Sequence, residues 1–139
     1  MIEKAVVAQL TTDATVTGIV GTNIFPQPAP EDPKTFPRII YVTDDLEPQR
    51  NFTAKSGLNK QTVTISCQTI DDPATLDALV TAVYNLFESK DGTWGGIPVQ
   101  GAFLSGGPRN QRYSVPDWGP DFVVSESELD FEIWHEDVA

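Results

Sequence analysis

The last part of the chain, ESELDFEIWHED at residues 126–137, contains the residue types that most often carry out metal or acid–base chemistry. It holds the only histidine, His135, and residues 117–139 include eight acids and no lysine or arginine. A histidine among carboxylates can bind a metal ion or transfer protons if the side chains converge on one point. The spacing of these residues therefore decides whether the segment predicts an active site.

Polar and apolar residues alternate in this segment, which predicts a β-strand whose successive side chains point to opposite faces. His135 falls on the apolar face, together with Leu129, Phe131 and Ile133. The opposite face carries what we call the acidic row: Glu126, Glu128, Asp130 and Glu132. Its members stand about 7 Å apart along a line, where they repel one another unless the face meets water or cations. A line does not gather ligands around one ion, so the pattern favours a structural histidine over a catalytic one.

The rest of the sequence contains no motif of an enzyme or a cofactor site. There is no phosphate-binding loop, no dinucleotide fingerprint, no paired-cysteine zinc spacing and no His-Glu-x-x-His. The single cysteine, Cys67, lies on the apolar face of a predicted strand and is predicted to be a buried core residue. The pairs Gly95–Gly96 and Gly106–Gly107 fall at predicted strand ends, where turns need glycine. We therefore expect that the chain is not an enzyme and that it binds neither a cofactor nor a metal.

The composition predicts one acidic domain over residues 1–139. The chain is 40% hydrophobic, so it can bury a core without a disulfide or a metal. Its net charge of −11 argues against electrostatic binding of nucleic acid, because phosphate contacts need clustered lysine and arginine. A lone cysteine fits a reducing compartment, and the N-terminus resembles neither a signal peptide nor a membrane span.

The order of the predicted elements indicates an α+β fold, with an antiparallel sheet and two main helices packed on one face. Helices are expected at residues 2–11 and 72–90, with a short helical turn that Thr12 or Asp13 caps and Gly21 ends. Strands are expected at residues 38–47, 61–70, 97–104 and 122–136. A proline-rich connector precedes the first strand, and residues 108–121 read as a loop rich in turn residues.

The polar segment at residues 48–60 is predicted to be a long hairpin loop, and a loop of this length in a compact domain is usually functional or disordered. It brings scarce positive charge and one aromatic side chain. The candidate interface residues in this loop are Arg50, Phe52, Lys55 and Lys60.

Several phrases in this order resemble a family of phage tail completion, or tail terminator, proteins. They are the opening MIEKAVVAQLTTDATVTGIVGTNIFP, the exit into PRIIYV, the strand VTISCQT, the helix DDPATLDALVTAVYNLF, the strand GGIPVQGAFL and the closing LDFEIWHE. The resemblance covers nearly the whole chain. It does not reach residues 43–60 or 105–121, so contacts made there do not carry over from the family.

The resemblance implies a non-enzymatic virion subunit that is assembled in the host cytoplasm. Such subunits form a hexameric ring at the head-proximal end of a long tail, where the ring ends polymerisation of the tube. The partners implied are further copies of the chain, the tail tube protein and the connector or neck proteins of the head. DNA passes through the ring without being bound specifically, and no membrane is involved.

The acidic row is a candidate for the wall of that channel, because carboxylates repel phosphate and let a duplex slide. The same row could equally be a solvated strand face. Three other functions stay open at this point: another head–tail connector protein, an acidic DNA mimic that inhibits a DNA-binding protein, and a small metal hydrolase built on His135.

Overall fold

The computed structural model describes residues 2–44, 47–50, 55–119 and 122–136, with the backbone alone for residues 47–50 and 55–57. In these ranges the helices are α1 (Ile2–Thr12), α2 (Ala14–Val20) and α3 (Pro73–Phe87). The strands are β1 (Ile24–Pro26), β2 (Arg38–Thr43), β3 (Glu47–Arg50), β4 (Lys55–Ile70), β5 (Gly92–Trp94), β6 (Ile97–Ser114) and β7 (Val123–Glu136). The fold is α+β, as the sequence predicts.

The helix boundaries follow from their caps. The Asp13 carboxylate accepts a hydrogen bond from the Val16 N–H at 3.0 Å, and Gly21 ends α2 with a φ of 62°. Asp72 caps α3 in the same way, accepting from the Thr75 N–H at 3.1 Å, with proline next in the chain. These helix starts and the end at Gly21 are the predicted ones.

The strands form one sheet in the order β1-β2-β4-β7-β6-β5. All neighbours along this path are antiparallel except β1 and β2, which run parallel. Strand β3 also pairs with β4. It lies on the side of β4 away from β7, because residues of β4 near Lys60 pair with both strands.

The core lies between the three helices and one face of this sheet, which we call the inner face. The alternation predicted for β4 and β7 is confirmed, and these strands contribute Val63, Ile65, Cys67, Leu129, Phe131 and Ile133. The helices contribute Val6, Leu10, Val16, Leu79, Val83 and Phe87, among others. The acidic row stands on the other face, which we call the outer face.

Strands take up large parts of two predicted loops, so the predicted extent of both loops was wrong. The segment 48–60 was expected to be a hairpin loop, but β3 extends to Arg50 and β4 begins at Lys55. The segment from residue 108 was also expected to be a loop, but β6 continues as far as Ser114. Pairing with a neighbouring strand outweighs the weak strand propensity of these polar residues.

The two glycine pairs have different roles. Gly95 and Gly96 form the turn between β5 and β6, with φ of 58° and 85°, as expected of a two-residue hairpin. Gly106 and Gly107, expected at a strand end, instead lie inside β6, where its register against β7 shifts between Leu104 and Arg109. They form a bulge, which bends the strand while pairing continues on both sides.

Candidate interaction surface on the outer face of the sheet

The outer face presents the acidic row on β7 between polar residues of β4 and β6. Thr64 of β4 lies opposite Asp130, and Phe103 of β6 lies opposite Glu132. His135 does not belong to this face. It is buried, 3% exposed, on the apolar side of the strand, as its position in the alternation predicts.

Glu126 is buried, with 7% of its surface exposed, so the acidic row is not open to water along its whole length. Its Oε2 accepts hydrogen bonds from Ser66 Oγ at 2.8 Å and Gln68 Nε2 at 2.5 Å. Its Oε1 accepts one from Gln111 Nε2. Three neutral donors thus replace the water that a carboxylate loses on burial.

Arg38 supplies the positive charge of this buried group. Its Nε donates to Gln68 Oε1 at 2.7 Å, so Gln68 relays between the guanidinium and Glu126. The guanidinium lies 4.0 Å from the centre of the Phe36 ring, and its Nη1 donates to the Pro30 carbonyl at 2.7 Å. Burial lowers the pKa of Arg38, and the charges of Tyr113 and Glu126 raise it. The group ties the proline-rich connector to the end of the sheet.

Asp130 is the best-paired member of the acidic row. Arg109 Nη1 donates to its Oδ2 at 2.7 Å and Nη2 to its Oδ1 at 3.2 Å. Thr64 Oγ1 also donates to Oδ1 at 2.7 Å. The hydrogen bond from Arg109 is the main reason why the pKa of this carboxyl lies below its usual value; burial raises the pKa, and the hydrogen bond from Thr64 and the charge of Arg109 lower it further. Arg109 also lies 3.6 Å from Glu128, so one cation serves two acids.

Glu132 belongs to a mixed aromatic and charged group at the far end of the row. Its Oε1 accepts a hydrogen bond from Trp134 Nε1 at 2.8 Å, and Lys60 Nζ lies 5.7 Å from the centre of that ring. Phe103 is 48% exposed nearby. This end of the outer face therefore offers apolar surface as well as charge.

The residues around His135 do not form a metal site in the part of the chain that the structure describes. No group of three or more histidine, cysteine, aspartate or glutamate side chains lies close enough there to hold an ion. His135 Nε2 lies 2.9 Å from Gln61 Oε1, which gives the ring a hydrogen-bond partner inside the protein. Cys67 is fully buried, and burial raises the pKa of its thiol to about 12.

The predicted interface residues of segment 48–60 are placed only in part. Lys60 lies in β4 beside Trp134, as described above. The backbones of Arg50 and Lys55 pair at the end of the β3–β4 hairpin. Phe52 lies outside the described residues.

No pattern in the sequence identifies Arg38 or Arg109 as partners of the acidic row. Arg109 lies three residues from Arg112 in a segment with no apolar alternation, so nothing in the local pattern connects it with Asp130. The one available signal was electrostatic: four carboxylates in line require a cation or water nearby.

Comparisons with known proteins identify the fold. No family model matches the chain, and no curated protein matches it. Among solved structures, it is similar to a chain of a structure described as "Virion of native gene transfer agent (GTA) particle". The TM-score is 0.69 at 21% identity, over 95% of this chain and 92% of that chain. This similarity shows a shared fold over nearly the full length of both. No helix in the described ranges is long and apolar enough to cross a membrane.

Proposed function

We propose that this chain is a structural subunit of a phage-like virion, and that it forms the ring which ends the tail at its head-proximal side. The observation that carries the proposal is the shared fold with a virion chain, because it covers nearly all of both molecules. The sequence phrases that resemble tail terminator proteins support the same proposal. The proposed partners are further copies in a hexamer, the tail tube protein and the head connector.

The side chains of the outer face fit a structural role better than a catalytic one. Their polar groups form hydrogen bonds that hold the elements together. Arg38 joins the connector to Gln68, and Arg109 joins β6 to Asp130. A catalytic group must be available to a substrate within hydrogen-bond reach. We therefore propose that the chain is not an enzyme.

We propose that the acidic row contributes to the channel wall through three residues rather than four. Glu128, Asp130 and Glu132 are each partly exposed, whereas Glu126 is buried. Arg109 reduces the charge of the first two without cancelling it. The remaining charge would repel phosphate and keep a passing duplex from adhering.

The proposal is tested by mixing the purified protein with tail tubes and with portal-bearing heads, followed by negative-stain electron microscopy. A ring on the tube end, and tubes of limited length, are the expected results. Binding to heads alone would instead indicate a neck protein. For the channel, the double change of Glu128 and Glu132 to lysine keeps the Asp130–Arg109 pair, and it should leave ring formation intact and slow DNA ejection. The matched control changes Asp77 and Asp91, both exposed, to lysine elsewhere on the surface. Normal ejection with the first variant would refute the channel role.

A further inference from the structure

The outer half of β6 is an open sheet edge. Residues 107–114 are exposed, whereas the β7 residues paired with them, such as Val124 and Ser127, are buried. Closer to the hairpin with β5, the end of α3 covers the edge. The Ser89 N–H donates to the Ala102 carbonyl at 2.8 Å, and the Leu104 N–H donates to Glu88 Oε2 at 2.6 Å. Beyond the bulge, no strand among the described residues pairs with this side of β6.

The alternating hydrogen-bond pattern between β6 and β7 identifies which backbone groups of β6 point away from β7. The Val115 N–H donates to the Phe122 carbonyl at 3.1 Å, so residues 115 and 122 form a hydrogen-bonded pair. Such pairs alternate along an antiparallel ladder, and residues 109–114 pair with β7 without a break. The N–H and C=O groups of Asn110, Arg112 and Ser114 therefore point away from β7.

The long side chains that would normally shield such an edge are folded back onto the chain itself. Arg109 reaches Asp130, Gln111 reaches Glu126, and Arg112 reaches Asp71 at 2.6 Å. Charged side chains that extend over an edge are a common protection against strand pairing. Here they leave the backbone uncovered over six regular residues.

We infer that this edge pairs with the same edge of a second copy of the chain, antiparallel and about a two-fold axis at Gln111. That register places Asn110 opposite Arg112 of the other copy, and both residues have outward N–H and C=O groups. A register centred on Arg112 would set two guanidinium groups side by side. A register centred on Asn110 would place Arg112 opposite Pro108, which has no N–H to donate, and would leave one complete hydrogen-bonded pair. The register centred on Gln111 has two such pairs, and Pro108 falls opposite Ser114 at the end of the contact.

Side chains on the outer face also match in this register. Tyr113, 38% exposed, comes opposite Arg109 of the other copy, and a guanidinium beside an aromatic ring is a favourable pair. The two Gln111 residues lie side by side at the axis, and each amide keeps its hydrogen bond to Glu126 of its own copy. The other sheet edge at this level is closed, because the Ile24 N–H donates to Thr22 and Pro26 has no N–H. At this level of the sheet, in the part of the chain that the structure describes, β6 therefore offers the open edge.

The dimer is proposed for the free chain before assembly, and this proposal does not depend on the proposed virion role. A two-fold contact cannot close a single-layer ring, which needs a head-to-tail contact. Pairing covers a strand edge that would otherwise invite aggregation before assembly. Because each copy carries a charge of −11, added salt should strengthen the association.

Cysteine cross-linking tests the register. Residues at the axis form a non-hydrogen-bonded pair with Cα atoms about 4.5 Å apart, within the range of about 4.4–6.8 Å that a disulfide spans. Gln111→Cys should therefore give a covalent dimer under mild oxidation, and Cys67 will not interfere because its thiol is buried. Asn110→Cys is the control, since it faces Arg112 and should cross-link poorly. Equal cross-linking at both positions, or none at either, would overturn the proposal.

Sedimentation equilibrium tests the backbone contact. The wild type should show a monomer–dimer equilibrium that shifts towards dimer with protein and salt concentration. Asn110→Pro removes an outward N–H and should raise the dissociation constant about tenfold or more, whereas Asn110→Ala keeps that N–H and should change it little. Circular dichroism verifies that both variants fold. A wild-type protein that stays monomeric at every concentration would refute the pairing. It would not affect the proposed ring, which is tested separately on tail tubes.

Discussion

Arg109 holds Asp130 across the sheet with both of its terminal nitrogens, 2.7 and 3.2 Å from the two carboxylate oxygens. The pair joins β6 to β7 just beyond the bulge at Gly106 and Gly107. A β-carbon on Gly106 would lie 2.9 Å from Asp130 Oδ2 and 3.3 Å from Arg109 Nη1. The bulge therefore leaves the space in which the guanidinium reaches the acid.

Arg109→Ala should weaken the dependence of the free energy of unfolding on pH in the acidic range. Asp130 has a lowered pKa when folded, so the stability it contributes is present above its unfolded pKa of about 3.9 and is lost as pH falls through the folded value. The variant should be less stable than wild type at pH 7, and the two should converge at low pH. Urea unfolding at pH 7 and in the range of about pH 2–3 measures this.

Arg109→Lys is the matched control, because lysine keeps the charge and loses the two-pronged contact. It should fall between the wild type and the alanine variant at pH 7. A constant difference between wild type and Arg109→Ala at every pH would show that the pair does not control the titration of Asp130.

Gly107→Ala should destabilise the protein by about 2–4 kcal/mol. Gly107 has a φ of 84°, and a β-carbon there would collide with the Glu128 carbonyl oxygen. Gly18→Ala is the control, because nothing lies within 4 Å of a β-carbon at that helical position. It should be neutral or stabilise α2 by up to about 1 kcal/mol. Thermal and urea unfolding compare the two, and equal effects would contradict the role assigned to the bulge.

The sequence predicts the elements whose residues face two different environments. Alternation along β7 separates His135 from the acidic row because one face is apolar and the other is polar. The start of α3 is readable because Asp72 and Pro73 form a local signal that does not depend on the rest of the fold. In both cases the information lies within a few residues of the feature.

The features that were missed depend on residues far apart in the chain. Residues 109–114 form a strand exposed on both faces, so they show no alternation to read. Glu126 is buried because Arg38, Gln68 and the connector, about 60 to 90 positions away, close around it. A strand pattern predicts which face a side chain occupies, and it does not predict what later covers that face.

Arg38→Ala should destabilise the protein by about 3 kcal/mol or more, because it leaves the buried Glu126 carboxylate without its cation and frees the connector. Arg112→Ala is the control, since its ion pair with Asp71 is exposed and should contribute less than about 1 kcal/mol. Urea unfolding measures both. Double substitution with Glu126→Gln should cost less than the sum of the single changes, because the two charges belong to one network. Additive costs would show that the two residues act separately.

Cys67 should be inert in the folded protein and should report global unfolding. Its side chain is fully buried on the inner face, and burial raises the pKa of the thiol to about 12, so almost no thiolate is present at neutral pH. A thiol reagent should label the native chain only as fast as the molecule opens. The labelling rate in increasing urea should therefore follow the unfolding equilibrium.

Cys67→Ser is the control for reagent specificity, and it should lower stability by about 1–3 kcal/mol because it buries a hydroxyl among Ile39, Leu129 and other apolar residues. Rapid labelling of the native wild type would show that this part of the core opens locally, without unfolding of the sheet.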